Sequence, residues 1–262
     1  LYRFHQLRPT GLPAQPFFEL LHKKWGALAR RVLEDCQNAF PPAERVLCEP
    51  LSQIYSEATR RQVASCIPDG PLVFCHNDTY HGNIMRQSDG AIRLLDFEFS
   101  CLNHPAFDFA NLFAETVMIH GLADPPHFRI DKPRFGDSEI SVLVDAYLDQ
   151  ATFRGRRATE ADSKHRFPVL ESRPTEPGGP GVNNEFDDPE DREAELCKLV
   201  SDTRKMLLLS DYMYAMAALP LALEPVQKIR FIPYASQRFA RFKSGYQEYA
   251  SSHQPLLACW HR

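Results

Sequence analysis

The sequence predicts an α+β fold that is mainly helical, with a small β-hairpin at one polar loop. Helical spacing of apolar residues recurs along most of the chain, and two short apolar runs flank the polar segment 76–83. The 262 residues are 44% hydrophobic and 24% charged, which is ordinary for a folded domain and sufficient for a core. No internal repeat is visible, so one helical lobe is expected rather than an array.

Two helices are predicted ahead of the polar loop. Apolar residues recur at helical spacing over 17–36, among them Leu21, Val32 and Leu33. A second helix is predicted over 49–64, because Pro68 and Gly70 follow it and favour a turn.

Two strands are predicted around the polar loop. Residues 71–75 form a short apolar run, and residues 92–96 form another after the turn residues Ser88, Asp89 and Gly90. We expect these strands to pair as a hairpin, which would place Asp78 and Asp96 at neighbouring strand ends.

Helices are also predicted for the second half of the chain. Between them, residues 154–191 change to Pro, Gly and charged residues, which predicts a flexible low-complexity insertion. We therefore expect one lobe over 1–262 with a catalytic segment at 72–120. The predicted helices cover 107–120, 140–153, 193–223 and 234–249, the last two closing the lobe over 193–250.

Charge and hydropathy exclude some functions. The net charge of −4 and pI near 6.2 do not supply the basic field of a nucleic-acid-binding protein. The longest apolar run, residues 206–223, contains Asp211 and Pro220, which predicts a buried helix rather than a membrane span.

The cysteines and the first residues predict a cytoplasmic protein. The seven cysteines contain no C-x-x-C pair, which favours reduced thiols. Residues 1–10 mix Arg3, His5 and Arg8 with apolar residues, so they lack the continuous hydrophobic core of a secretory signal.

The segment from His76 to Asn83 has the composition of a phosphoryl-transfer site. Asp78 precedes Asn83 by five residues, and Asp96 follows Asp78 by eighteen. Phosphoryl transfer needs a carboxylate that receives the proton of the acceptor hydroxyl, which suits Asp78. Mg²⁺ prefers hard oxygen ligands such as those of Asn83 and Asp96. ATP and Mg²⁺ are therefore the expected donor and cofactor.

Three sequence blocks together resemble the choline/ethanolamine kinase family. They are His-Asn-Asp followed by four residues and Asn83, then Leu-Asp-Phe-Glu at 95–98, then Phe-Asp-Phe-Ala-Asn-Leu-Phe-Ala-Glu at 107–115. The pattern Tyr-Ala-x-x-Arg-Phe at 234–239 is also similar to the closing helix of that family. The resemblance implies the C-terminal lobe of a protein-kinase-like fold, and ATP-dependent phosphorylation of ethanolamine or choline at the first step of phosphatidylethanolamine or phosphatidylcholine synthesis.

The resemblance also implies a role for each matching residue. Asp78 would be the catalytic base, while Asn83 and Asp96 would bind Mg²⁺. Substrate binding is implied for Glu115, Tyr234, Tyr214 and Phe99, and structural support of the site for His76, Asn77, Asp108 and Glu98.

The acceptor pocket departs from the family pattern. Tyr214 and Ala217 stand where the family usually carries two tryptophans, and Phe99 stands where it often has tyrosine. Quaternary ammonium groups are normally held by several aromatic faces, whereas a primary ammonium needs hydrogen-bond acceptors. This departure favours ethanolamine or another small amino alcohol, while the alternative that Tyr212, Met213 and Tyr214 only pack a helix stays open.

Other functions also stay open. An aminoglycoside-type phosphotransferase shares the arrangement of Asp78, Asn83 and Asp96, and a homodimer is compatible with the sequence. Only Gly11, Gly26 and Gly70 precede Asp78, so we identify no Gly-rich loop or N-terminal ATP-clamping lobe. We therefore expect these residues alone to be weakly active or inactive, which leaves a kinase-like binding module as a further alternative.

Overall fold

A computed structural model describes residues 1–11, 17–156, 189–224 and 229–251. The predicted insertion at 154–191 lies outside the described residues, apart from its two ends, which belong to helices. The helices are α1 (Tyr2–His5), α2 (Phe17–Glu34), α3 (Cys36–Ala39), α4 (Pro42–Ser52), α5 (Glu57–Cys66), α6 (Ala106–Glu115), α7 (Asp137–Arg156), α8 (Pro189–Leu221) and α9 (Phe231–Ser251).

Short strands and 3-10 turns connect these helices. The strands are β1 (Val73–Cys75), β2 (Ile84–Arg86), β3 (Ile92–Leu94), β4 (Cys101–Asn103), β5 (Met118–His120) and β6 (Phe128–Ile130). Single 3-10 turns cover Gln53–Tyr55 and His81–Asn83. The mainly helical α+β prediction is confirmed.

Helix α8 is the centre of the core. It packs against α9, α6, α2 and α7, and its residues from Met206 to Met213 are all buried. A helix that is buried around most of its circumference must be apolar on most faces, which explains why residues 206–223 form the longest apolar run. Each buried Leu or Met stabilises the fold by about 1.5–3 kcal/mol, so α8 anchors the elements that carry the polar loop.

The predicted pairing of 71–75 with 92–96 is wrong. β1 instead pairs with β4, with Cys75 opposite Cys101, and β2 pairs with β3, with Ile84 opposite Leu94. The tight turn around Gly90, whose φ is +84°, lets β2 and β3 form a local hairpin, so residues 92–94 are already paired and β1 pairs with the later strand β4. A small hairpin does follow the polar loop, but it consists of different strands.

Two predicted helices have wrong boundaries. The helix predicted over 49–64 is two helices, because Ser56 adopts an extended conformation and its side chain accepts a hydrogen bond from Thr59 N as the N-cap of α5. The helix predicted over 107–120 ends at Glu115, and residues 118–120 form strand β5 beside β6. The other predicted helices are confirmed, with ends shifted by a few residues.

The expectation that all cysteines are reduced is wrong for one pair. A disulfide bond joins Cys36 and Cys48, whose Cα atoms lie 6.6 Å apart. The short connection from α3 to α4 turns the chain back and brings the two thiols together. Among the described cysteines, Cys66, Cys75, Cys101 and Cys197 are free.

The membrane prediction concerns α8, the helix that carries the longest apolar run. Within the described part of the chain, no helix is both long and apolar enough to cross a membrane.

Candidate active site

The polar loop between β1 and β2 has an unusual backbone conformation. Asn77 has a φ of +64°, a left-handed region that Asn and Asp tolerate better than most residues, and Asp96, which follows β3, has a φ of +60°. The Asn77 side chain donates to the carbonyl of Phe99 at 2.9 Å and accepts from Asn103 at 2.8 Å. Asn77 therefore ties the loop to the segment that follows Asp96.

Asp108 connects the polar loop to helix α6. Its carboxylate accepts the backbone N–H of His76 at 2.9 Å and that of Asn77 at 2.7 Å. It also accepts a hydrogen bond from Nε2 of His5 at 2.9 Å, and the Thr79 hydroxyl donates to its carbonyl at 2.5 Å. Asp108 lies in the first turn of α6, where the helix dipole stabilises a negative charge.

His76 links the segment of Asp78 to the segment of Asp96. Its Nε2 lies 2.8 Å from the carbonyl oxygen of Leu95, and its Nδ1 lies 3.3 Å from the backbone N of Asp78. Since a carbonyl can only accept, the proton is on Nε2, and Nδ1 accepts from Asp78. The buried ring thus holds the two acidic segments at a fixed separation.

The carboxylate of Asp78 is held at both oxygens. The Tyr214 hydroxyl donates to Oδ1 at 2.6 Å, and Nδ2 of Asn83 donates to Oδ2 at 2.8 Å. Burial raises the pKa of Asp78, while the hydrogen bonds from Tyr214 and Asn83 oppose that shift. The nearby Asp96 raises this pKa further, which shows that the two acids share one electrostatic environment.

Asn83 and Asp96 offer oxygen ligands suited to Mg²⁺. Nδ2 of Asn83 donates to the backbone carbonyl and the carboxylate of Asp78, so these bonds leave the Asn83 amide oxygen free to accept a cation. Asp96 is exposed at the start of the following loop. An amide oxygen and a carboxylate are hard ligands that do not demand a closed protein cage, so this pair fits Mg²⁺.

A second group of ligand-type residues lies behind the loop. His5, Cys75 and Asp108 are buried, and their ligand atoms lie within 4.8 Å of one another. Both carboxylate oxygens of Asp108 already accept hydrogen bonds. Burial also raises the pKa of Cys75 well above its usual range, which keeps the thiol protonated. This group therefore supports the loop rather than a metal ion.

A cavity of about 620 Å³ opens beside Asp78. The structure brings Glu115, Tyr214 and Tyr234 together there, as the sequence predicts. The other lining residues are Tyr80, His81, Gly82, His120, Gly121, Ile229 and Phe231. The cavity holds aromatic rings, carboxylates and imidazoles, which suits a small polar ligand that carries a hydroxyl and a cation.

Arg238 is completely buried and contacts three of the residues that line this cavity. Its guanidinium forms ion pairs with Glu115 and, at 2.7 Å, with Asp211. It also lies over the rings of Tyr214 and Tyr234, at 4.9 Å and 5.3 Å from their centroids. Burial raises the pKa of Glu115, which the charge of Arg238 opposes. An internal cation thus occupies one face of both rings.

Phe99 and Glu98 lie in a different place from the other predicted residues. They line a second cavity of about 500 Å³, where the Phe99 ring lies 5.2 Å from that of Trp25. The Lys24 ammonium lies 5.2 Å from the Phe99 ring. The structure therefore does not bring Phe99 to Tyr214 and Tyr234.

The sequence alone predicts no role for several residues that the structure places at the site. Arg238 belongs to the pattern at 234–239, and Asn111 to the block at 107–115, but neither received a role. Asp211 was noted only as a charge within an apolar run, and its pairing with Arg238 and Arg241 explains why it is there. A charge inside an otherwise apolar helix was the signal that could have indicated a buried partner.

Comparison with known proteins agrees with this geometry. The family model for choline/ethanolamine kinase matches residues 2–243. The chain is 30% identical over 151 residues to ethanolamine kinase 2 of Rattus norvegicus, an alignment that covers 57% of this chain and 35% of that protein. It is 32% identical over 143 residues to a choline/ethanolamine kinase of Homo sapiens, covering 52% and 36%.

A solved structure shows the same fold. The choline kinase from Cryptosporidium parvum Iowa II superposes with a TM-score of 0.60 at 17% identity, over 95% of this chain and 63% of that one. The alignments to the rat and human proteins span about a third of those relatives' length. Because the family model matches more than nine-tenths of the residues, the chain belongs to the choline/ethanolamine kinase family.

Proposed function

We propose that this chain carries the catalytic centre of an enzyme that transfers the γ-phosphate of ATP to the hydroxyl of ethanolamine or choline. The observation that supports this most directly is the position of Asp78, whose carboxylate faces the cavity lined by Glu115 and Tyr234. Family membership supports the same reaction, and it does not favour the aminoglycoside-type alternative. The proposal concerns the whole protein, since the alignments cover about a third of its relatives' length.

Asp78 is the proposed base. It accepts the proton of the acceptor hydroxyl while that oxygen forms a bond to the γ-phosphorus and the bond from phosphorus to the ADP oxygen breaks. The hydrogen bonds from Tyr214 and Asn83 hold both carboxylate oxygens. Asp108, Asn77 and His76 fix the backbone that carries Asp78, so these three are the proposed structural support of the base.

Asn83 and Asp96 are the proposed ligands of Mg²⁺. The bound ion supplies positive charge that offsets the charge developing on the transferred phosphoryl group. Through its bond to the Leu95 carbonyl, His76 keeps the segment of Asp96 beside that of Asp78. Glu98, two residues further, lies exposed near this position, and its proposed role is support of the same segment.

Glu115, Tyr214 and Tyr234 form the proposed acceptor wall. Arg238 already covers one face of each tyrosine ring, so these faces are not free for a quaternary ammonium. The oxygens of Glu115 and Tyr234 remain acceptors for N–H groups. We therefore expect ethanolamine to be the better substrate. Phe99 has no proposed part in this wall because it lines the second cavity.

The family resemblance also suggests where the reaction belongs. The product would be a phosphorylated amino alcohol for phospholipid headgroup synthesis, formed in the cytoplasm, and a homodimer is the proposed assembly.

Turnover of the 262-residue chain with ATP and Mg²⁺ tests the proposal. We expect slow, ethanolamine-dependent formation of phosphoethanolamine, followed by ³¹P NMR, and a smaller rate with choline. Turnover of these residues alone is expected to be slow because residues 1–77 contain no Gly-rich loop to cover the phosphates. Asp78→Asn should lower the rate at least 10²-fold, as expected for a lost general base.

Asp89→Asn is the matched control, since Asp89 is an exposed turn residue whose carboxylate accepts from Ala91 N. An Asp78→Asn variant that works as fast as the wild type would contradict the proposal. Phosphorylation of an aminoglycoside in place of both amino alcohols would favour the alternative.

A further inference from the structure

Tyr214 is joined to the carboxylate of Asp78 across two distant parts of the chain. Its hydroxyl donates to Oδ1 at 2.6 Å, a short distance for a hydrogen bond to a carboxylate. Tyr214 belongs to α8, the central helix of the core, whereas Asp78 lies in the polar loop. The bond therefore fixes the position of the loop relative to α8, the most deeply packed element of the fold.

Tyr214 is itself held in place. Its hydroxyl oxygen lies 3.3 Å from Nδ2 and 3.4 Å from Oδ1 of Asn111, so the Asn111 amide is directly beside it. Nδ2 of Asn111 also donates to the Ser210 hydroxyl at 3.4 Å. The guanidinium of Arg238 covers the ring. The phenol is therefore oriented by two neighbouring helices, and its proton points at Asp78.

From these contacts we propose that Tyr214 is a positioning residue, whose hydroxyl holds Asp78 in the rotamer that faces the acceptor. The inference rests on the proposed function. It gives the Tyr214 hydroxyl a role in addition to that of the ring, which lines the cavity. Asn83 restrains the other carboxylate oxygen. Asn83 belongs to the same loop as Asp78, so it moves with that loop. Tyr214 lies on α8, outside the loop, so its bond fixes the Asp78 carboxylate relative to the core.

The other groups near Asp78 do not replace this bond. His76 contacts the Asp78 backbone rather than its carboxylate. Glu115 is directed to Arg238. Among the described residues, Tyr214 and Asn83 are the ones whose side chains donate to the Asp78 carboxylate.

Two variants separate the hydroxyl from the ring. Tyr214→Phe keeps the ring and loses only the donor, while Tyr212→Phe is the control. Tyr212 lies on the same helix and is buried, but its hydroxyl contacts His22 and the Ile54 carbonyl. Circular dichroism confirms that each variant is folded.

The first measurement needs no turnover. Three-bond NMR couplings to the carboxyl carbon of Asp78, assigned with Asp78→Asn, report whether its χ1 angle has one value or an average. We expect one rotamer in the wild type and in Tyr212→Phe, and an average in Tyr214→Phe. A single unchanged rotamer in Tyr214→Phe would overturn the inference, whether or not the proposed function is correct.

The second measurement compares kcat and KM of the variants with ethanolamine as the acceptor. Misplacement of the base should lower kcat of Tyr214→Phe about tenfold with the acceptor KM unchanged, and Tyr212→Phe should keep the wild-type values. A raised KM with unchanged kcat would assign Tyr214 to binding alone and overturn the inference. If Asp78→Asn equals the wild type, the proposed function fails, and the couplings still decide whether Tyr214 positions Asp78.

Discussion

Single buried residues hold the polar loop in a conformation that the loop does not favour by itself. Asn77 has a positive φ, which costs on the order of 1 kcal/mol for a residue other than Gly. Asp108 offsets this cost by accepting the N–H groups of His76 and Asn77 in a place that water does not reach. The loop conformation therefore depends on an acid more than 30 residues away.

Replacing Asp108 should show this dependence. In Asp108→Asn, the new amide N–H₂ group is a donor that faces other donors, the backbone N–H groups of His76 and Asn77, and leaves at least one of them without an acceptor. We therefore expect a loss of about 3 kcal/mol in the free energy of unfolding. Urea denaturation followed by circular dichroism measures it. Asp35→Asn is the control, because Asp35 is exposed and makes no side-chain cap bond. Equal stability of the two variants would contradict this account of the loop.

Arg238 is a second residue on which other buried groups depend. Arg238→Met removes the ion-pair partner of Glu115 and one of the two partners of Asp211, and a buried charge that loses its partner costs about 3–5 kcal/mol. We expect a lower urea midpoint with an unchanged m-value. Arg129→Met should change stability little, since the Arg129 side chain is 60% exposed in its pair with Asp131. A stable Arg238→Met protein would show that the two acids are neutral or hydrated.

At the scale of elements, the close contact between α8 and α9 determines the position of the acceptor wall. Tyr214 lies on α8, while Tyr234 and Arg238 lie on α9. Gly245 permits the contact, because a methyl group at this position would lie 2.5 Å from Cδ2 of the buried Leu208. The requirement for a small residue here follows from packing, and helical periodicity does not reveal it.

Two glycine substitutions in helices test this packing. Gly26→Ala in α2 should raise the free energy of unfolding by up to about 1 kcal/mol, since Ala favours helix and the nearest atom to the new methyl group is Tyr55 Cε1 at 3.8 Å. Gly245→Ala has the same helical gain but must displace Leu208, so we expect it to be less stable than Gly26→Ala. Thermal and urea unfolding give the comparison, and equal gains would contradict the close contact.

At the scale of the whole molecule, the half-buried His22 and the buried His104 connect stability to pH. Burial lowers the pKa of His22 to about 4 and that of His104 to about 4. His22 lies against Tyr212 and His104 against Asp202, and both of these partners belong to α8. Two peripheral elements therefore contact the central helix through imidazoles that stay neutral in the folded state.

His22 and His104 should each reduce the stability of the fold as the pH falls from about 6.5 to about 4. In this window the unfolded chain takes up protons at His22 and His104 while the folded chain does not, so unfolding becomes more favourable. We expect His22 to contribute on the order of 1 kcal/mol after solvent screening. Urea titrations at several pH values should give a smaller pH slope for His22→Gln than for the wild type. An equal slope would contradict the role of His22.

The extent of prediction from the sequence differed among elements for physical reasons. The core-facing helices were predictable because apolar spacing reports a buried face directly, as in α2 and α8. The split between α4 and α5 was missed because the cap at Ser56 interrupts the helix without interrupting the apolar pattern. The strand pairing was missed because strands of three residues carry little register information.

The sequence alone was sufficient for the helical α+β class, the family, and the order of Asp78, Asn83, Asp96 and Glu115 along the chain. These features depend on local spacing and on short motifs, which can be identified without knowledge of the tertiary structure. Only the tertiary structure decided which partners meet: Asp108 with the loop backbone, Arg238 with Glu115, Tyr214 with Asp78, and Phe99 in a separate cavity. Such contacts join residues up to 136 positions apart, and they exist because α8 packs against several elements at once, which local sequence patterns do not record.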